Sequence, residues 1–214
     1  MITLNNFFDK IYLINLDRRQ DRLETCHNIM VKYNITYERF SAVDGSKLEI
    51  ELGENTTFDK KNDLGCTLSH LNLLKEIKLN NYEKVLILED DFELSDDFFN
   101  LFNERVKQLP ENWEWLYFGG SHVESPTKIT ENIYRVNKIN TTHAYALKID
   151  IVDKLIDYLS DEFSTSVDVR YSKYQKNLNT YVFIPHLIYQ REGFSDIQEK
   201  IVDYKIMRNY KPNE

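Results

Sequence analysis

The stretch Lys84-Val85-Leu86-Ile87-Leu88-Glu89-Asp90-Asp91 decides how this chain reads. Val85 to Leu88 are aliphatic at every position, so both faces of a strand would be apolar. That pattern predicts a strand in a parallel sheet covered by helices on both sides. The run stops abruptly in three acids. In open α/β sheets the ligand crevice lies at the carboxyl ends of the parallel strands. The acids are therefore expected at the lip of such a crevice.

Outward from this strand, the chain alternates. Ile11–Leu16 is a second apolar run of strand length, and Asp17–Tyr33 reads as a helix with Leu23, Cys26, Met30 and Tyr33 at helical spacing. A strand over Tyr37–Val43 ends in the turn signal Asp44-Gly45. Asp63 can cap a long helix to about Leu79, with Leu64, Leu68 and Leu71 on its inner stripe. Ser95 can cap a helix reaching about Gln108, whose candidate core residues are Phe98, Phe99, Phe102 and Val106. Trp115–Phe118 reads as a strand before Gly119-Gly120, and residues 121–140 as loop and short strands. Thr141–Lys148 (strand), Asp150–Leu159 and Ser166–Lys176 (helices) and Thr180–Ile184 (strand) follow, then a mixed segment from about Gln190 and a polar tail. This order predicts an α/β fold: a Rossmann-like, mostly parallel central sheet with helices on both faces. With no repeat, low-complexity tract or Pro/Gly/Ser linker, residues 1–214 read as a single domain.

Composition narrows the function. The chain has 214 residues, 42% hydrophobic and 29% charged, with 14 Tyr and 12 Phe to build a core. A net charge of −8 argues against a nucleic-acid surface, which needs clustered Lys and Arg, but leaves room for a nucleotide in a local pocket. Cys26 and Cys66 have no CxxC spacing and read as free thiols of a reducing compartment. Met1–Lys10 lacks a basic region followed by an apolar one, and no run reaches the length of a membrane span. The expectation is a cytoplasmic or otherwise intracellular protein, with peripheral membrane association left open.

Carboxylates fixed in a turn after a buried strand can hold a hard divalent cation, which can bridge a diphosphate and neutralise the charge of a departing one. The same acids can equally form a solvated turn. An EF-hand fails on spacing, because Leu94 or Ser95 stands where its glycine belongs. GxGxxG after the first strand and GxxxxGK[ST] are both absent, which disfavours a dinucleotide dehydrogenase and a P-loop NTPase.

Several segments together resemble glycosyltransferase family 25, which includes bacterial lipooligosaccharide galactosyltransferases and procollagen galactosyltransferase domains. They are Ile11-Tyr12-Leu13-Ile14-Asn15-Leu16-Asp17-Arg18-Arg19-Gln20-Asp21-Arg22, Phe40-Ser41-Ala42-Val43-Asp44-Gly45, Leu64-Gly65-Cys66-Thr67-Leu68-Ser69-His70 and Val85-Leu86-Ile87-Leu88-Glu89-Asp90-Asp91. Weaker matches are Thr142–Leu147, Val167-Asp168-Val169 and Gly193–Ile197, so the resemblance covers about residues 9–198. Gln20 departs from the family, which often has proline there, at a position that reads as a helix start. The resemblance implies a GT-A type fold, a UDP-sugar donor (UDP-galactose or UDP-glucose), a divalent metal (manganese, or magnesium) and inversion at the anomeric carbon. It also implies a hydroxyl acceptor on a glycan or a hydroxylysine-type residue of a glycoprotein.

On that resemblance, Asp91 is the first candidate metal ligand, with Asp90 on the ribose or a second metal contact and Glu89 orienting the turn. Asn15, Asp17, Arg18 and Arg19 follow the first strand, where the nucleotide should lie; Arg can fork onto phosphate or stack on a base. Arg22 reads instead as part of the solvated helix face. Asp44 is a candidate for uracil or ribose, or a plain turn residue. Gly65 and Cys66 read as opening a helix whose N–H groups could face an anion, with Ser69 and His70 one turn in. Asp168 is the candidate general base, or an acid favoured by a helix N-terminus. His186 and Asp196 are candidates for completing the metal site or diphosphate pocket. Two rival classes stay open: a non-catalytic nucleotide-sugar or carbohydrate-binding module on the same fold, and a sugar nucleotidyltransferase. The second would want a glycine-rich first loop, and Asn15–Arg22 has no glycine.

Overall fold

A computed structural model describes residues 1–51, 61–161 and 165–212. In chain order the elements open with α1 (Leu4–Phe7), β1 (Lys10–Asn15), α2 (Gln20–Lys32), β2 (Glu38–Ser41), α3 (Lys61–Asn80), β3 (Lys84–Glu89) and β4 (Phe92–Leu94). Next come α4 (Phe98–Arg105), β5 (Trp115–Tyr117), β6 (Ser121–Glu124), β7 (Thr127–Lys128), β8 (Ile133–Arg135), β9 (Lys138–Asn140) and β10 (Ala144–Lys148). The chain closes with α5 (Val152–Asp161), α6 (Val167–Tyr174), β11 (Thr180–Phe183), β12 (Ile188–Gln190), β13 (Gly193–Ser195), β14 (Lys200–Val202) and α7 (Lys205–Arg208).

Eight strands form one sheet in the order β2-β1-β3-β10-β5-β11-β8-β7. β1 runs parallel to β2 and β3, and β5 parallel to β11. β10 is antiparallel to both of its neighbours, and β8 to both of its own. The other six strands therefore share one direction, as the alternation of strand and helix predicted. Side chains alternate along β1. Ile11 and Leu13 join Leu4 of α1, Cys26 and Met30 of α2, and Phe98 and Phe102 of α4 in one core layer. Tyr12 and Ile14 join Leu71 and Leu74 of α3, Leu155 of α5 and Tyr171 of α6 in the other. Helices thus cover both faces, and the apolar runs of β1 and β3 are buried because each face has its own layer.

Local readings shift by a few residues at several ends. β3 matches its predicted span. α2 begins at Gln20, not Asp17, and Tyr33 is 40% exposed, outside the core. α4 begins at Phe98, not at Ser95, because Asp97 sits in the left-handed region (φ 54°) and breaks the turn before it. α3 already runs from Lys61, so Gly65 and Cys66 do not open it. Gly65 instead lets α3 touch the turn after β2: a Cβ there would stand 2.6 Å from the Gly45 nitrogen and 2.7 Å from the Val43 oxygen. The last two residues of the polar tail lie outside the described residues.

The two halves meet at one sheet edge. β1 and β3 end there, and the antiparallel β10 starts there, bringing Thr142 and His143 beside Glu89. The Glu89 N–H donates to the His143 carbonyl at 2.9 Å.

Candidate active site

A cavity of about 330 Å³ opens at this edge. It is lined by Asn15, Arg18, Arg22, Asp44, Ser69, His70, Glu89, Asp90, Asp91, Asp168 and Asp196, among others. Of the sequence-derived candidates, Asp17, Arg19 and His186 do not line it.

Its floor is the turn after β3. Asp90 is 7% exposed and has both oxygens engaged: Asn15 Nδ2 donates to Oδ2 and Arg22 Nη1 to Oδ1, each at 2.7 Å. Burial nonetheless raises its pKa, against the pull of Arg22. Asp91 differs. Gln190 Nε2 donates to its Oδ2 at 3.0 Å, while its Oδ1 is buried with no hydrogen-bond partner. Burial first, then the charges of Glu89 and Asp90, push the Asp91 carboxyl up to about 7. A buried, unpartnered carboxylate oxygen beside two more acids fits the oxygen-donor set that a hard divalent cation takes. Asp91, with Glu89 beside it, is therefore where these residues fit a metal. Asp90 acts as a brace, since Asn15 and Arg22 already take its oxygens.

Glu89 is held from behind. His70 Nε2 meets its Oε1 at 2.9 Å, and the Thr142 hydroxyl donates to the same oxygen at 2.6 Å. Burial works to raise its pKa, but these two contacts hold it below the usual carboxylate value. His70 is buried on α3, and its Nδ1 meets the Tyr145 hydroxyl at 2.7 Å. One ligand atom each of Cys66, His70 and Glu89 lies within 4.8 Å of the others. Because His70 Nε2 is already bonded to Glu89, His70 reads as a hydrogen-bonded support for the acidic turn. Burial drives the Cys66 thiol well above its ordinary pKa, which disfavours a thiolate there.

Arg18 lines the cavity, and Arg19 meets the same acid, Asp196, from outside the lining. Arg18 donates to Asp196 Oδ1 at 2.5 Å and to Asp44 Oδ2 at 3.2 Å. Arg19 pairs with Asp196 Oδ2 and with Asp21. Asp44 also accepts from the Ser46 hydroxyl at 2.7 Å, so it is both a turn residue and a cavity wall. Ser69 accepts from the Val43 N–H at 2.8 Å and donates to the Gly65 carbonyl, fixing β2's exit against α3. Asp168 stands in the first turn of α6, with Oδ1 accepting from the Val169 N–H at 2.7 Å.

Four expectations change. Asp17 turns outward to Arg39 and Ser41, which hold its pKa low. His186 is buried away from the cavity: its Nδ1 donates to the Met207 carbonyl at 2.9 Å, its Nε2 meets His122 at 3.1 Å, and Tyr210 stacks on both rings. It thus has no free nitrogen to offer a metal at Asp91. Asp196 spends both oxygens on Arg18 and Arg19, which leaves none for a metal at Asp91 and leaves its diphosphate-pocket alternative standing. Arg22 points inward, not to solvent, and also reaches the Phe194 carbonyl at 2.5 Å. A signal for Arg22 existed: it precedes Cys26 and Met30 by whole helical steps, on the buried stripe, and the Cys26 thiol donates to the Asp90 carbonyl at 3.2 Å. Gln190 and Tyr204, which also line the cavity, carry no local motif, whereas Thr142 opens the weaker match Thr142–Leu147.

This arrangement, acids at the carboxyl edge of a parallel strand in a cavity that Arg18 and Arg22 also line, goes with an α/β fold of GT-A type. The fold is similar to that of a glycosyltransferase involved in glycosylation of the major capsid of PBCV-1, with a TM-score of 0.52, 9% identity and coverage of 89% of this chain and 95% of that one. The chain belongs to glycosyltransferase family 25 (LPS biosynthesis protein), whose model matches residues 8–171. It is similar to procollagen galactosyltransferase 2 of Mus musculus, 26% identical over 171 residues, covering 70% of this chain and 27% of that protein. Procollagen galactosyltransferase 1 of Danio rerio is 28% identical over 173 residues, with 70% and 28% covered. Inactive glycosyltransferase 25 family member 3 of Homo sapiens is 27% identical over 171 residues, with 70% and 29% covered. The chain spans less than a third of the length of these relatives. Among the described residues no helix is long and apolar enough to cross a membrane.

Proposed function

We propose that the chain is an inverting, metal-dependent glycosyltransferase that moves galactose or glucose from UDP to a hydroxyl of a glycan or hydroxylysine-type acceptor. The observation that carries this reading is the unpartnered, buried Asp91 Oδ1 among the acids of a cavity that Arg18 also lines. A divalent ion, manganese or magnesium, would supply charge neutralisation for a leaving diphosphate, and Asp91 and Glu89 are the residues to hold it. Arg22 and Asn15 keep the turn in place by gripping Asp90. Arg18 binds phosphate oxygens, and Asp44 accepts from the nucleoside.

In the transfer step the acceptor oxygen attacks the anomeric carbon from the face opposite UDP. The new C–O bond forms as the bond to the β-phosphate oxygen breaks, and its electron pair leaves with UDP. The hydroxyl proton passes to the Asp168 carboxylate, which shares the cavity with Asp91. Similarity to galactosyltransferases supports the hexose, and similarity to a relative named inactive keeps the binding-module reading as the rival.

UDP release over a panel of UDP-sugars, with and without manganese, tests the proposal. Turnover that needs manganese and is lost in Asp91→Ala is expected. UDP binding without turnover would favour the non-catalytic module. Preference for ADP- or GDP-sugars would overturn the donor.

A further inference from the structure

The segment after β12 folds over the cavity mouth as the hairpin β13–β14, paired Gly193 to Val202 and Ser195 to Lys200. No residue from Arg191 to Ile206 is buried, so the hairpin contributes nothing to either core layer. Polar contacts hold it down. Arg22 donates to the Phe194 carbonyl, Asn62 Nδ2 donates to the Asp196 carbonyl at 2.9 Å, and the Asp196 carboxylate takes Arg18 and Arg19 together. Asp196 is only 13% exposed in its side chain, and it lines the cavity with Ile197, Gln198 and Tyr204.

Two guanidinium groups, Arg18 in the cavity lining and Arg19 just outside it, converge on the two oxygens of one carboxylate and make an anion seat. A carboxylate and a phosphate present similar oxygen geometry to an arginine fork, and a diphosphate brings more charge. We infer that Asp196 is an internal surrogate for the donor's diphosphate, occupying the Arg18–Arg19 seat when no nucleotide is bound and yielding it when one enters. This rests on the donor reading above. The hairpin can yield because none of its residues is buried in the core, so it leaves by breaking polar contacts and no apolar packing. The carboxylate then competes with bound UDP as well as with incoming donor, weakening the hold on the product and favouring its release.

The sign of the test is unusual for an acid in a binding cavity. UDP affinity is measured by calorimetry with manganese present for wild type, Asp196→Asn and Asp196→Ala, with uridine, which lacks the diphosphate, as control ligand. Both variants should bind UDP about tenfold more tightly than wild type, with uridine affinity unchanged. Trypsin should cut the variants at the exposed Lys200 several-fold faster than wild type in the absence of nucleotide. Wild-type binding of UDP with equal or weaker binding by both variants overturns the surrogate. A gain for uridine as large as for UDP overturns it too, because the diphosphate would then play no part. If neither wild type nor variants bind UDP, the donor reading itself falls.

Discussion

At the residue scale, the proposed mechanism divides the chemistry between Asp91 and Asp168. Asp91 is the acid whose environment asks for a cation: one oxygen is unpartnered, and its carboxyl is raised to about 7 by burial and two like charges. Asp91→Ala is expected to lower manganese-dependent transfer by about 100- to 1,000-fold, the range seen when a preorganised charge stabiliser is removed, as read by UDP release under saturating donor. Asp168→Asn keeps the shape and the helix start but cannot take a proton. It is expected to keep UDP affinity within about twofold while transfer falls by about 100-fold or more. Unchanged turnover in that variant would move the base elsewhere. The acids of this site were legible as a local motif because they directly follow an apolar run. Their separate duties were not, because Asp90 and Asp91 differ only in what arrives from far along the chain, Asn15 and Arg22 for one and Gln190 for the other.

Two contacts between elements decide how the turn after β2 and the C-terminal segment are held. The first is Gly65 of α3 against Val43 and Gly45, a backbone-to-backbone approach with no room for a methyl group. Gly65→Ala is expected to destabilise the protein by about 1–3 kcal/mol, the usual cost of overpacking, and to weaken UDP binding by displacing Asp44; chemical denaturation and calorimetry check both. The second is the histidine stack that seats the C-terminal segment. Burial lowers His186 to about 3 and His122 to about 4. An unfolded histidine near 6.5 binds protons more readily than these do, so their stabilising effect is complete above pH 6.5 and is lost as pH falls toward 3. Between pH 6.5 and 4.5 His186 alone should account for about 2 kcal/mol of lost stability. Urea denaturation across that range should show a flatter pH slope in His186→Phe than in wild type. His186 was read from sequence as a metal candidate because histidine is a common ligand. Its actual surroundings, Met207, His122 and Tyr210, lie 21, 64 and 24 residues away, out of reach of any local pattern.

For the whole molecule, a nucleotide that bridges the β1 and β3 ends with α6 should stabilise the folded state as a unit. At a concentration about 100-fold above its Kd, UDP with manganese adds about 2.7 kcal/mol, which for a chain of this size raises Tm by roughly 5–10 °C. Differential scanning fluorimetry should show that rise in wild type and a clearly smaller one in Asp91→Ala at the same concentrations. Equal shifts would mean that the acidic turn does not take part in binding. The sequence by itself determined the strands β1 and β3, the helices between them, the doubly covered sheet and the acids at its carboxyl edge. Each of those follows from the spacing of apolar residues over a few positions, which burial on one or two faces imposes directly. Only the tertiary structure decided that Arg22 turns in to Asp90, that Asp196 sits between Arg18 and Arg19, and that β10 enters antiparallel to deliver Thr142 to Glu89. Those pairings join residues 53 to 178 positions apart, and a charged side chain satisfies its desolvation with whichever partner the topology brings near, a choice that no local periodicity records.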